Sequence, residues 1–350
     1  MAERRAEQNG EYRRVNAKRP PGVMAQALGF PKAIGFLLRS RSSAEWIGRT
    51  TIVRGAIDMR RSSRLRQLME QGVVLAPGVY NALFAKAVEH TGFDAAYITG
   101  FGTAARYGYP DVGLISQTEM VENLRHICRA TTIPVIADAD TGYGNIINVR
   151  RTVRDYERAG VAGLHIEDQV FPKKCGFMEG KAVIPLDEHV QKIRAALDAR
   201  SDPDTVIIAR TDALAPNGWE DALARARAYR EAGADLVFVD GIRTLEELEI
   251  YSRELAQKGV PSLYNGGLIS AGEAERLGFK IQILAGLALA AVFKSATAAM
   301  QELNSSGSTR QTMAQFGAPG KGETVNDILG VPEVYELERR YDAAEGEAAQ

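Results

Sequence analysis

The sequence predicts an α/β fold of the (β/α)8, TIM-type barrel class, and three observations carry that reading. From Val73 onward, short apolar runs alternate with amphipathic stretches. Eight such pairs fit into about 230 residues, the count a closed barrel needs. Polar residues stand immediately after the apolar runs, where a barrel gathers its chemistry at the C-terminal face. A doubly wound open sheet is the competing architecture, weakened because no GxGxxG follows the first strand.

In order, the strand candidates are Val74–Pro77, Ala95–Thr99, Pro134–Ala139, Gly163–Glu167, Thr205–Arg210, Leu236–Val239, Pro261–Tyr264 and Lys280–Leu284. They are short and almost wholly apolar, as buried parallel strands are. The helical patterns between them are Ala82–Thr91, Gln117–Ala130, Ile147–Ala159, Leu186–Arg200, Trp219–Ala232, Leu245–Lys258, Ala271–Leu277 and Ala288–Leu303. Several end in glycine (Gly92, Gly160, Gly233, Gly259), the residue a left-handed C-cap favours.

Charge divides the chain more sharply than its net of −1 suggests. Residues 1–66 hold 15 Lys/Arg against 5 Asp/Glu, whereas 67–350 hold 28 against 39. We therefore expect a basic, partly disordered N-terminal extension over 1–62, a catalytic barrel over 63–305, and a C-terminal helical segment over 306–350. Within the extension, Met1–Pro21 reads as disordered and Met24–Met59 as packing on an oligomer. Scattered basic residues with no zinc or helix-turn-helix pattern predict no nucleic-acid partner. The apolar stripe ending at Leu38 is broken by Pro31 and Lys32, and no run reaches membrane-spanning length, so no membrane partner is expected. Two cysteines, Cys128 and Cys175, imply no disulfide framework, and the cytoplasm is the expected location.

The most informative segment is Val135–Gly144, VIADADTGYG. A buried strand does not carry two anions at its tip without compensation, because desolvating carboxylates is costly. Asp138 and Asp140 imply a cation, most simply a divalent metal; a pair of helix N-caps or a salt-bridged turn is the alternative. Other strand ends add Tyr97, Thr99 and Gly100, then Gly102 and Asp111 beyond them, His165 and Glu167, Arg210 and Asp212, Asp240, and Asn265. Carboxylates from the second, third and fourth strands make a hard oxygen site suited to Mg²⁺ or Mn²⁺. Arg210 suits a bidentate pair with a substrate carboxylate, and the Gly100–Gly102 turn suits an oxyanion. His165 reads as a core or supporting residue and Cys128 as core.

Phe171–Lys181, FPKKCGFMEGK, follows the fourth strand and carries Cys175 between lysines and glycine. Neighbouring positive charge is expected to lower the thiol's pKa. The cysteine reads as a general acid/base or a nucleophile on a mobile loop, against an incidental loop residue.

At these residues the chain resembles the isocitrate lyase/phosphoenolpyruvate mutase superfamily. PGVYNALFAKAVEHTGFDAAYITGFG, DADTGYG, HIEDQ, PKKCGFMEGK and IIARTDA occur in order between about Arg66 and Tyr341. The resemblance implies that Asp138 binds Mg²⁺, with Asp111, Asp140 and Glu167 supporting it. It implies catalytic roles for Cys175, Tyr97, Arg210 and Glu167, with substrate held by Thr99, Gly100, Gly102, Lys174, Gly176, Asp240 and Asn265. The KKCG motif points to the carbon–carbon lyase branch, and so to retro-Claisen/aldol cleavage of a substituted malate-type 2-hydroxy acid. Oxaloacetate hydrolysis or decarboxylation, or carboxyphosphonoenolpyruvate phosphonomutase-like chemistry, is the alternative. Phe177 stands where the lyases carry His, and Asn265 is followed by glycines, which favours a smaller or more apolar malate over a tricarboxylate. The family also implies a homotetramer, a dimer of dimers, in which a C-terminal helix is swapped between subunits.

Overall fold

The computed structural model describes residues 59–315 and 324–348, so the expectations for Met1–Pro21 and nearly all of Met24–Met59 lie outside the described residues. Eight parallel strands close into one barrel in sequence order. They are β1 (Val74–Val79), β2 (Ala96–Ile98), β3 (Val135–Asp138), β4 (Gly163–Glu167), β5 (Val206–Thr211), β6 (Leu236–Val239), β7 (Ser262–Asn265) and β8 (Ile281–Leu284). Closure is made by β1 against β8, Val74 opposite Ile281 and Pro77 opposite Leu284. The open doubly wound sheet is thereby excluded.

Strand alternation sorts side chains into two cores. Tyr97, Ile136, Ile208, Phe238, Leu263, Ile281 and Ile283 fill the barrel interior. Their neighbours Ile98, Val135, Ala137, Leu164 and Ile207 face outward, packing with Val121, Leu124, Ile127, Val149 and Val153 of the surrounding helices. Counting on by two from the inward set reaches Asp138, Arg210, Asp240 and Asn265. The same alternation that builds the core therefore aims these polar side chains into the barrel mouth.

The helices are α1 (Arg61–Gln71), α2 (Ala82–His90), α3 (Gly100–Arg106), α4 (Gln117–Ala130), α5 (Ile146–Ala159), α6 (Leu186–Ala199), α7 (Leu214–Glu231), α8 (Leu245–Glu254), α9 (Ala271–Arg276), α10 (Leu287–Ser306), α11 (Arg310–Ala314), α12 (Val325–Leu329) and α13 (Val331–Ala348). Reciprocal capping starts α4 through Ser116 and Glu119, and α8 through Thr244 and Glu247. Gly160 ends α5 with φ of 100°, a conformation costly for residues with a Cβ. The pattern read as one helix over Leu245–Lys258 is α8 followed by a 3-10 turn, Ala256–Lys258. α7 opens before Trp219 and is kinked at Gly218.

The eighth barrel helix is exceptional. None of the residues of α10 is buried, and Phe293 and Met300 are 68% and 61% exposed. α13 similarly exposes Val334, Tyr335, Leu337 and Tyr341. Among the described residues, no helix is long and apolar enough to cross a membrane.

Candidate active site

The β3 tip is held in a specific conformation. Asp138 accepts from the Asp140 amide through Oδ1 at 3.0 Å and from the Gly100 amide through Oδ2 at 3.1 Å. Asp140 and Tyr143 both adopt left-handed backbone, with φ of 45° and 59°, which costs non-glycine residues on the order of 1 kcal/mol or more each. Gly100 is there because a Cβ would come within 2.6 Å of Asp138 Oδ2. The Gly100–Gly102 stretch is not a free oxyanion turn, as sequence reasoning expected, but the start of α3. The Gly102 amide donates to Thr99 Oγ1, and the Gly100 amide is spent on Asp138.

Inside the barrel, the Tyr97 hydroxyl lies 2.8 Å from His165 Nε2 and 3.5 Å from Asp138 Oδ2. Burial lowers the His165 imidazole to about 4, although Asp138 pulls the other way, so the ring is neutral near pH 7. Burial, aided by Asp138, raises Tyr97 well above the ordinary phenol, which keeps it protonated.

Arg210 forms the opposite wall. Its Nε and Nη2 donate to Asp212 at 2.8 and 3.1 Å, Nη2 also donates to Asp240 at 2.9 Å, and Nε lies 3.2 Å from Glu167. The bidentate edge expected to grip a substrate carboxylate is thus occupied by the protein's own Asp212. Asn265 Nδ2 reaches Asp240 Oδ1 at 3.4 Å, adding β7 to the cluster.

The loop after β4 is docked onto this array. The Cys175 amide donates to the Asp111 carbonyl at 3.0 Å, and Gln169 bonds the backbone N–H and C=O of Lys174 while donating to Glu167. Gly176 lies so close to Asp240 that a Cβ would collide with its carboxylate. The Lys173 ammonium bridges Asp111 and Asp140, at 2.8 Å from the latter. Lys181 Nζ ties the Gly176 carbonyl to Asp212 at 2.6 and 2.8 Å.

Two expectations for this loop change. Lys174 does not join the cluster; its ammonium donates to the carbonyls of Glu179 and Gly180, and the adjacent Lys173 is the buried one. Nor is the Cys175 thiol acidified. Burial, reinforced by Asp111, pushes it up to about 11 and outweighs Lys173 and Arg210. The thiol therefore stays protonated at neutral pH, which suits a proton donor and not a thiolate nucleophile.

Sequence reasoning missed Lys173, Lys181 and Gln169 as parts of the site. The paired lysines were a visible signal, but an irregular loop has no periodicity to say which one points inward.

The residues fit a divalent cation chemically. Asp111, Asp138, Asp140, Glu167, Asp212 and Asp240 are buried together, with Lys173, Lys181 and Arg210 as their cations, leaving carboxylates in excess. Burial pushes Asp140 up to about 6, with Asp138 and Asp111 adding to it against Lys173, and raises Glu167 well above the usual range. Asp138 goes down to about 2, because His165, Lys173 and Arg210 overcome the effect of burial. A hard, oxygen-rich, electron-pair-rich pocket that otherwise takes up protons is suited to Mg²⁺. Among the described residues, no three His, Cys, Asp or Glu side chains already enclose an ion as they stand.

Comparison with known proteins supplies the class. The family model described as phosphoenolpyruvate phosphomutase matches residues 65–304. The chain belongs to the phosphoenolpyruvate mutase/isocitrate lyase superfamily, and its relatives include enzymes named as lyases and mutases. Among its relatives is a 2,3-dimethylmalate lyase of Eubacterium barkeri, 40% identical over 291 residues, covering 81% of this chain and 99% of the relative. A solved oxaloacetate acetylhydrolase bound to 3,3-difluorooxalacetate superposes with a TM-score of 0.73 at 35% identity, covering 81% of this chain and 97% of the other. A phosphonopyruvate hydrolase complexed with oxalate and Mg²⁺ superposes with a TM-score of 0.72 at 29% identity, covering 81% and 99%.

Proposed function

We propose that this protein is a Mg²⁺-dependent lyase that cleaves a substituted malate-type 2-hydroxy acid to an α-keto acid and a carboxylic acid. The observation that carries the reading is the docked loop, which holds a protonated Cys175 against the acid cluster through the Asp111 carbonyl. Similarity to a 2,3-dimethylmalate lyase over nearly that relative's whole length supports the substrate class.

Asp138, Asp140, Asp111 and Glu167 would hold the ion. When bound, Mg²⁺ supplies positive charge to the substrate oxygens that gain negative charge during cleavage. The substrate hydroxyl loses its proton toward Tyr97, whose own proton has His165 Nε2 as an acceptor 2.8 Å away. As the C–O bond becomes a carbonyl, the bond between the hydroxyl carbon and its neighbour breaks. That electron pair moves onto the departing acid's α-carbon, and the Cys175 thiol protonates it. Arg210, its bidentate edge occupied by Asp212, would hold Asp240 and Glu167 in place at the barrel mouth. The active form is proposed to be a dimer of dimers in which the exposed faces of α10 and α13 are covered by neighbouring subunits.

Incubation of the Mg²⁺-loaded enzyme with substituted malates, oxaloacetate and phosphonopyruvate, followed for pyruvate, glyoxylate and oxalate, tests the assignment. Keto-acid release from a malate is expected. Oxalate from oxaloacetate, with no turnover of any malate, would overturn it in favour of the hydrolase reading that the acetylhydrolase likeness supports.

A further inference from the structure

The turn that carries Asp138 and Asp140 is strained, and something outside it must hold it. Its backbone turns through two left-handed non-glycine residues, Asp140 and Tyr143. Such conformations persist only where surrounding structure over-determines them. The Asp138 carbonyl lies at the end of β3, and the phenol of Tyr156, from α5, donates to it at 3.0 Å. A carbonyl cannot donate, so the single Tyr156 proton is committed there. The Tyr143 hydroxyl, 3.1 Å from that of Tyr156, must then be the donor in their contact. One fully buried phenol thus grips both sides of the strained turn, the carbonyl of its first aspartate and the side chain of its last left-handed non-glycine residue. Its proton goes to neither carboxylate.

We propose that Tyr156 is a positioning residue that clamps the β3 turn and thereby sets the divalent-cation affinity of Asp138 and Asp140. The affinity half rests on the metal reading above; the clamp half does not. Loss of the hydroxyl leaves the ring and its packing in place, so Tyr156→Phe removes the grip and leaves the Asp138 carbonyl and the Tyr143 hydroxyl without this partner. Tyr251 is the matched reference: its buried hydroxyl accepts from the Val239 amide and donates to the Leu263 carbonyl, satisfying strand backbone on the far side of the barrel.

Two measurements on full-length protein decide the matter. Hydrogen exchange of the peptide spanning 135–144 in Mg²⁺-free protein reads the turn, where the Asp140 and Gly142 amides are bonded. Titration calorimetry with Mg²⁺ reads the ligands. Tyr156→Phe should speed exchange of the turn and weaken Mg²⁺ binding about tenfold, the usual scale when an outer partner of a ligand is lost. Tyr251→Phe should lower thermal stability comparably and change neither. Wild-type exchange in Tyr156→Phe overturns the clamp; faster exchange with unchanged Mg²⁺ affinity overturns the positioning role. Equal Mg²⁺ weakening in Tyr251→Phe reduces the effect to general destabilisation and overturns it as well. A wild-type protein that binds no Mg²⁺ removes the metal reading instead, and exchange of the turn then judges the clamp alone.

Discussion

The ammonium of Lys173 lies 2.8 Å from Asp140 Oδ1 and also bonds Asp111, although the three residues come from different connections around the barrel mouth. All are buried. Removing one partner from such a group leaves uncompensated charge, which typically costs about 3–5 kcal/mol. Lys173→Met should therefore destabilise the Mg²⁺-free protein on that scale in urea unfolding, with part of the loss recovered when Mg²⁺ is added. A variant as stable as wild type in both conditions would show that the bridge contributes nothing to the fold.

Asp138→Ala should abolish turnover while the barrel remains folded by circular dichroism. The substitution removes a carboxylate that organises both the Gly100 and the Asp140 amides. Full activity of this variant, or undiminished wild-type activity in excess EDTA, would end the metal assignment.

Cys175→Ser should lower turnover by at least about a hundredfold, the scale of a lost general acid, with substrate binding largely kept. With burial pushing the thiol up to about 11, it stays protonated at pH 8, so iodoacetamide should label it slowly relative to a free thiol. Rapid labelling followed by mass spectrometry would contradict the protonated-donor role. Serine turning over as fast as cysteine would move the protein to the hydrolases or mutases.

His189 makes a pH prediction. Burial, with Lys192 and Arg225 nearby, lowers its imidazole from 6.5 to about 3. The unfolded chain binds a proton near 6.5 and the folded protein does not until about 3. Stability conferred by the neutral ring is thus present above 6.5 and lost as pH falls through that window, by up to about 1.4 kcal/mol per pH unit for one proton. Asp140, raised to about 6, works oppositely below that value, so the contribution is isolated by comparison with His189→Gln. The wild-type curve should be steeper between pH 6 and 4; parallel curves would contradict it.

The exposed apolar side chains of α10 and α13 predict an oligomer. Light scattering at micromolar concentration should return a tetramer mass. A monomer would remove the shared-helix arrangement.

Much of the barrel was legible because strand and helix periods are local. All eight strands fall within a few residues of their expected places, since each is a short buried run with polar residues at its end. The inward parity of Asp138, Arg210, Asp240 and Asn265 could likewise be read by counting. α1 and α3 were not recognised: α1 has few buried residues, and α3 opens with glycines that look like a turn. Side-chain direction in the loop over 171–181 was illegible for a different reason. Burial of Lys173 rather than Lys174 follows from contacts with Asp111 and Asp140, which are distant in sequence. The same long-range burial reversed the expected acidity of Cys175.

The loop over 171–181 contributes two of the three cations at the barrel mouth, Lys173 and Lys181. With that segment lifted, Arg210 alone faces the six carboxyl groups, and the mouth attracts cations while repelling dicarboxylates. With it docked, the balance shifts toward accepting anions. Under the function proposed above, the ion is expected to enter before the substrate, and a dead-end substrate analogue should then compete with the substrate while being uncompetitive toward Mg²⁺.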